Sequence, residues 1–96
     1  MAKGYILSAY REIHDPEKLA AYGALAGPAV EAAGGRFLAR GGSVTAYEHG
    51  LEQRTVLIEF ESYAAALQLY ESELYQEALA VLGDAVARDF RVVEGV

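Results

Sequence analysis

Cysteine and tryptophan are absent from the 96 residues, and there are only two prolines and one methionine. Without cysteine there are no disulfides, no thiolate nucleophile, no zinc–thiolate site and no cysteine-ligated iron–sulfur cluster. Basic residues are also few: eight Lys and Arg stand against fourteen Asp and Glu, for a net charge of −6. They are scattered singly and form no stripe that would neutralise phosphates. This charge balance argues against nucleic acid as a partner and against adsorption to an anionic membrane. No apolar run approaches the ~20 residues needed to span a bilayer. The opening Met1-Ala2-Lys3-Gly4 lacks the layout of a secretory signal. A soluble, cytoplasmic protein is expected.

The length is that of one domain, and residues 1–96 are expected to form it. Apolar residues make up 53% of the chain, which is rich for this size. Such a surplus suggests that a partner covers some apolar surface.

Tyr5 to Glu12 reads as a first strand, with Tyr5, Leu7, Ala9 and Arg11 on one side and Ile6, Ser8, Tyr10 and Glu12 on the other. Asp15 and Pro16 then announce a helix, as N-cap and first helical residue, and Glu17 suits its positive end. Leu19, Tyr22, Ala26, Ala29, Val30 and Ala33 recur at helical spacing. Pro28 is expected to kink or interrupt this helix near Gly27, and Gly34-Gly35 to end it. Arg36 to Arg40 is a second extended run. Gly41-Gly42 follows, then Val44 to Glu48. The glycine pair fits a tight hairpin turn or a bend inside one long strand, and periodicity does not choose between them.

After a polar turn at residues 49–53, Arg54 to Phe60 is the strongest strand signal, rich in β-branched residues. Ser62 caps a helix to about Tyr70, with Tyr63, Ala66, Leu67 and Tyr70 as its stripe. Ser72 caps another, with Leu74, Ala78, Leu79, Leu82 and Val86 as its apolar side. Phe90 to Glu94 is the last strand. The order matches the ferredoxin-like β-α-β-β-α-β fold of class α+β, an antiparallel sheet with helices on one face. Apolar residues lie on both parities of the strands: Val56, Ile58 and Phe60 on one, Leu57 on the other. Helices shield one face only, so a second copy is expected on the other. At about 25 cal/mol per Å², covering several hundred Å² of apolar sheet is worth several kcal/mol before association costs.

Candidate functional residues are polar side chains in otherwise buried-looking strands. Arg40, Arg54 and Glu59 form one set, with Glu48 nearby. A carboxylate held beside an arginine has a shifted pKa and serves to bind a polar ligand or move a proton. The competing reading is an ion pair that fixes strand register or the dimer seam. Tyrosines form the second set. Seven in so short a chain supply several that could wall a cleft, Tyr22, Tyr70 and Tyr75 foremost, or else fill the core. His14 and His49 have no metal-ligand spacing, and no metal site is expected. No nucleophile elbow, phosphate loop or dinucleotide fingerprint is present, and no cofactor is expected.

The nonapeptide Gly34-Gly-Arg-Phe-Leu-Ala-Arg-Gly-Gly42 resembles that of the small bacterial proteins grouped as domain-of-unknown-function family 1330. So do Arg54, the Val-Leu-Ile-Glu-Phe-Glu-Ser run of residues 56–62, Tyr70, Ser72, Tyr75-Gln76 and Val93-Glu94-Gly95. The likeness runs from Gly4 to Gly95. It implies a dimeric α/β barrel, two ferredoxin-like subunits joined through their sheets, and it favours the bent long strand at Gly41-Gly42. The wider superfamily includes cofactor-free monooxygenases of aromatic polyketides, haem enzymes of the chlorite dismutase and dye-decolourising types, muconolactone isomerase-like enzymes and stress-responsive proteins. Kinship at this level leaves the chemistry open. Leu69 stands where the family often has Trp, which bears on the shape of any pocket.

Two functions therefore compete. One is a homodimer that binds a small organic molecule between sheet and helices, extending to a cofactor-independent enzyme, with Arg40, Arg54 and Glu59 orienting polar groups and Tyr22, Tyr70 and Tyr75 as walls. The other is a non-catalytic dimeric binding or stress-response module in which those residues hold the fold. A closed, tyrosine-filled interior would eliminate the first, and an open cleft of a few hundred Å³ would weaken the second.

Overall fold

The structure, a computed structural model, describes residues 2–96. Its elements are β1 (Gly4–Ile13), α1 (Pro16–Ala32), β2 (Arg36–Arg40), β3 (Thr55–Phe60), α2 (Tyr63–Glu71), α3 (Glu73–Leu82) and β4 (Val86–Glu94). The strands form one antiparallel sheet in the order β2-β3-β1-β4. This is the expected ferredoxin-like arrangement, with all three helices on one face.

Capping residues start the helices where the sequence places them. The Asp15 carboxylate accepts from the backbone N–H groups of Glu17 and Lys18, both at 3.1 Å. Ser62 and Ser72 accept from the N–H groups of Ala65 and Tyr75 in the same way, satisfying donors the helix itself leaves free. Helix α1 closes on Gly34, whose φ of 79° admits glycine readily. There the Gly35 N–H reaches back to the Val30 carbonyl.

Four local expectations need correction. Helix α1 runs unbroken through Pro28. Proline there removes only the N–H that would have served the Ala24 carbonyl, and burial of helix on both sides outweighs that loss. At Gly41-Gly42 the chain forms neither a tight hairpin nor a long bent strand. Strand β2 stops at Arg40, Gly41 turns with φ 75°, and residues 43–54 take no strand. The irregularity lies earlier, between Phe37 and Ala39, where Leu38 is the extra residue in the ladder with β3. Strand β4 begins at Val86, four residues before the predicted start, because Gly83 (φ 52°) ends α3 at Leu82. On α2 and α3 the buried residues are Ala66, Leu69, Tyr75, Ala78 and Leu82, while Leu67 and Leu74 face outward.

Register sorts the side chains by face. Ile6, Ser8 and Tyr10 of β1 point to the helices, with Val56, Ile58 and Phe60 of β3 and Arg88, Phe90 and Val92 of β4 beside them. The bulge at Leu38 brings Phe37 and Arg40 onto that same face, opposite Ile58 and Val56. The other face has an apolar centre of Tyr5, Leu7, Ala9, Leu57 and Val93. Around it run the Arg36–Glu59 pair at 2.8 Å and the Arg91–Asp89 pair at 2.9 Å. This face is thus apolar at its centre and charged at its edge, not greasy throughout.

Candidate functional site

Helix α1 packs side by side with α3, and between α1 and the sheet lies a partly open cavity of about 280 Å³. Its apolar walls include Ile6 and Val30 from the core, Phe37 from β2, Leu69 from α2 and Phe90 from β4. The polar groups are of two kinds only, hydroxyls and guanidiniums: Ser8, Tyr10, Tyr22 and Tyr75, and Arg40, Arg54 and Arg88. No Asp, Glu or His is in the lining.

Arg88 organises one end. Its Nη1 donates to the hydroxyls of Ser8 (3.3 Å), Tyr10 (3.4 Å) and Tyr22 (3.3 Å), and its Nη2 to that of Tyr75 (3.3 Å). The guanidinium also sits 4.7 Å from the Phe90 ring centre and 5.2 Å from that of Tyr22, close enough for the ring faces to attract its charge. Burial works against that charge, but Tyr22 and Tyr75 more than offset it and hold Arg88 above the ordinary arginine value. Tyr22 and Tyr75 are 8% and 3% exposed and share a hydroxyl–hydroxyl hydrogen bond. Burial, reinforced by Tyr22, pushes the Tyr75 hydroxyl above the ordinary tyrosine value despite the nearby Arg88. Tyr75 is therefore a neutral phenol at physiological pH.

Arg40 and Arg54 lie toward the β2 end. The bulge aims Arg40 at α1, where its Nη2 donates to the Gly23 carbonyl at 3.3 Å and its guanidinium stacks 4.3 Å from the Phe37 ring centre. Glycines at 23 and 27 keep that helix face flat: a Cβ on Gly27 would stand 3.4 Å from Arg40 Nη1. Arg54, just ahead of β3, shares the parity of Val56 and Ile58. Gly41 makes room for it, since a Cβ there would come within 2.6 Å of Arg54 Nη1. Its Nε is buried with no hydrogen-bond partner, the one such side-chain atom among the described residues.

Of the six residues singled out in sequence, four meet at this cavity: Tyr22, Arg40, Arg54 and Tyr75. Glu59 does not. It lies on the opposite face of the sheet, bonded to Arg36 (2.8 Å) and to the Tyr5 hydroxyl (3.2 Å), because its parity is that of Leu57 rather than Val56. Tyr70 is 38% exposed and outside the lining, packed instead against Tyr75 and Phe90 with ring centres 5.4 and 5.2 Å away. His14 pairs with Glu12, and among the described residues no group of three His, Asp or Glu gathers to hold a metal. Sequence reasoning missed Arg88. Its alternation with Phe90 and Val92 was the available signal: a charge on the apolar parity of a strand.

The chemistry this set offers is donation. Guanidiniums and phenols stabilise negative charge on an oxygen, and no side chain in the lining acts as a base at neutral pH.

Comparison with known proteins accords with the fold. A protein of unknown function from Rhodopseudomonas palustris, RPA0582, superimposes with a TM-score of 0.70 at 24% identity, covering 97% of this chain and 80% of its own. A dimeric ferredoxin-like protein of unknown function from Thermobifida fusca does so with a TM-score of 0.53 at 11% identity, covering 99% and 92%. A candidate antibiotic biosynthesis monooxygenase from Caulobacter crescentus gives 0.60 at 17% identity, covering 99% and 90%. Among curated proteins none matches. The family model for a domain of unknown function (DUF1330) matches residues 3–96, and the chain belongs to that family.

Proposed function

We propose that this protein is a homodimer that binds a small organic molecule in the cavity between α1 and the sheet. The observation that carries the reading is the cavity itself: about 280 Å³, walled by apolar and aromatic side chains, with guanidiniums and phenols converging at its ends. Small-molecule sites have this make-up, an apolar body with a few placed polar groups. A protein that used these residues only to hold its fold would fill the space. The description of the Caulobacter neighbour is compatible with an organic ligand, and that of the Thermobifida neighbour supports pairing of two chains.

Gly23 offers the test. It lines the cavity, and a Cβ there meets only Arg40 Nη2, at 3.8 Å. Gly23→Leu thus places a side chain into the space, while a better helix former replaces glycine in the middle of α1. A thermal-shift screen of small aromatic compounds and organic acids should find ligands that raise the melting temperature of the wild type. A ligand at a hundred times its Kd adds about 2.7 kcal/mol. The Gly23→Leu protein should melt no lower than wild type and lose the ligand-induced shift. Shifts that persist in this variant would place binding elsewhere.

A further inference from the structure

The charged side chains divide unevenly between the cavity and the rest of the molecule. Arg11, Arg36, Arg91, Lys3 and Lys18 each form an ion pair with a carboxylate. Arg40, Arg54 and Arg88, the three that line the cavity, form none among the described residues. The chain has fourteen carboxylates to offer, yet the cavity excludes all of them. Arg40 is exposed and water shares in solvating it, but Arg54 and Arg88 are part-buried, and guanidiniums held there without counter-charge are costly unless something else neutralises them.

Donors and acceptors show the same excess. Each guanidinium has five N–H donors and no acceptor. Arg88 gives Nη donors to four hydroxyls, each of which thereby commits one of its two lone pairs. The Tyr22–Tyr75 bond uses one of the two phenolic protons, and the other is left for a ligand. Arg40 spends one N–H on the Gly23 carbonyl, and the buried Nε of Arg54 spends none. What the cavity lacks is therefore acceptors and negative charge.

We infer that the ligand is a small organic carboxylate, its carboxylate taken by Arg54 and Arg40 and its apolar body lying between Phe37, Leu69 and Phe90. This rests on the reading of the cavity as a ligand site and goes further by naming the chemical class. The planar fork of arginine matches a carboxylate in two parallel hydrogen bonds. The apolar walls favour an acid with a hydrocarbon or aromatic body over a bare inorganic anion, which would gain nothing from them. Arg88, engaged with its four hydroxyls, acts as a positioning residue that adds positive potential at the far end.

The test titrates the full chain with benzoate, phenylacetate and hexanoate, each beside its neutral alcohol and beside inorganic phosphate, while the tyrosine ring resonances are followed by NMR. At least one acid should move the Tyr22 and Tyr75 resonances and bind at least about tenfold more tightly than its alcohol, the worth of one charged hydrogen bond. Arg54→Gln and Arg40→Gln should each erase most of that preference, whereas Arg36→Gln on the opposite face should keep it. Arg40 lies at the exposed end of a strand, so its variant serves even if Arg54→Gln fails to fold. Alcohols that bind as tightly as their acids at the same resonances, or phosphate that matches the best acid, would overturn the carboxylate inference and leave the site standing. If no compound moves those resonances, the site reading falls as well.

Discussion

Arg88 and Tyr75 depend on each other across β4 and α3. The arginine finds hydroxyl oxygens where a carboxylate would be expected, and the tyrosine finds a charged donor in a place too buried to ionise. Tyr75→Phe breaks this arrangement with little change in volume. It removes one acceptor from Arg88 and the partner of Tyr22, and should cost about 1–2 kcal/mol at neutral pH. It should also change the response to alkali. The folded-state pKa of Tyr75 is raised above the ordinary 10.0, so folded and unfolded chains both keep the proton below pH 10 and its stabilising effect is whole there. Above pH 10 the unfolded chain releases the proton first, and stability falls by about 1.4 kcal/mol per pH unit for this one group. Urea unfolding from neutral pH to about pH 11 should therefore show a shallower alkaline decline in Tyr75→Phe than in wild type. Parallel declines would mean that Tyr75 ionises alike in both states.

At the scale of elements, what the sequence made legible was local. Asp15, Ser62 and Ser72 cap helices through atoms two or three residues away, so their signal survives any tertiary context. Period-two alternation set Arg54 beside Val56 and Ile58, and that alone points it into the helix-facing layer. The same alternation set Glu59 apart from Val56, and taking parity strictly would have separated it from Arg40 and Arg54. What stayed hidden depended on distant partners. Leu38 has no glycine to advertise a bulge; the bulge pays off only because Phe37 meets the core and Arg40 then lies over Gly23 and Gly27 of α1. Pro28 looks like a helix breaker until the buried stretch on either side of it is weighed. Arg88 has one local mark, its place on the parity of Phe90 and Val92, but its four hydroxyl partners come from β1, α1 and α3 and leave no trace near it in sequence. Gly35, where α1 hands the chain to β2, shows how tightly these elements meet: a Cβ there would stand 2.7 Å from both the Phe60 ring and Val30. Phe60 and Val30 are each 1% exposed and have nowhere to move. Gly35→Ala should therefore cost about 1–3 kcal/mol by overpacking, with a melting temperature lower by roughly 4–8 °C per kcal/mol. A variant as stable as wild type would show that the junction gives way more easily than its packing implies.

The whole molecule is a slab, 36 × 33 × 17 Å between its outermost Cα positions. Its short dimension is the depth of one helix layer on one sheet, so among the described residues no second layer covers the other face, and only the loop at residues 49–51 borders it, near Ala9 and Thr55. That face has the anatomy of an interface, with an apolar centre where Leu7 lies directly opposite Leu57 and a rim of ion pairs at Arg36–Glu59 and Arg91–Asp89. A two-fold axis through such a patch sets like residues against one another, so the leucines of two copies would meet at the centre. Leu57→Glu puts a carboxylate there and, by the same symmetry, two carboxylates close together in the dimer. In sedimentation at micromolar concentration the wild type should have twice the 10.3 kDa chain mass, and Leu57→Glu should sediment as the single chain. Leu57 faces away from the cavity, so the separated chain should still bind whatever the paired one binds, unless the partner holds α1 in place. A wild type that sediments at 10.3 kDa would mean that the leucine pair meets water and that the charged rim alone keeps the sheet soluble.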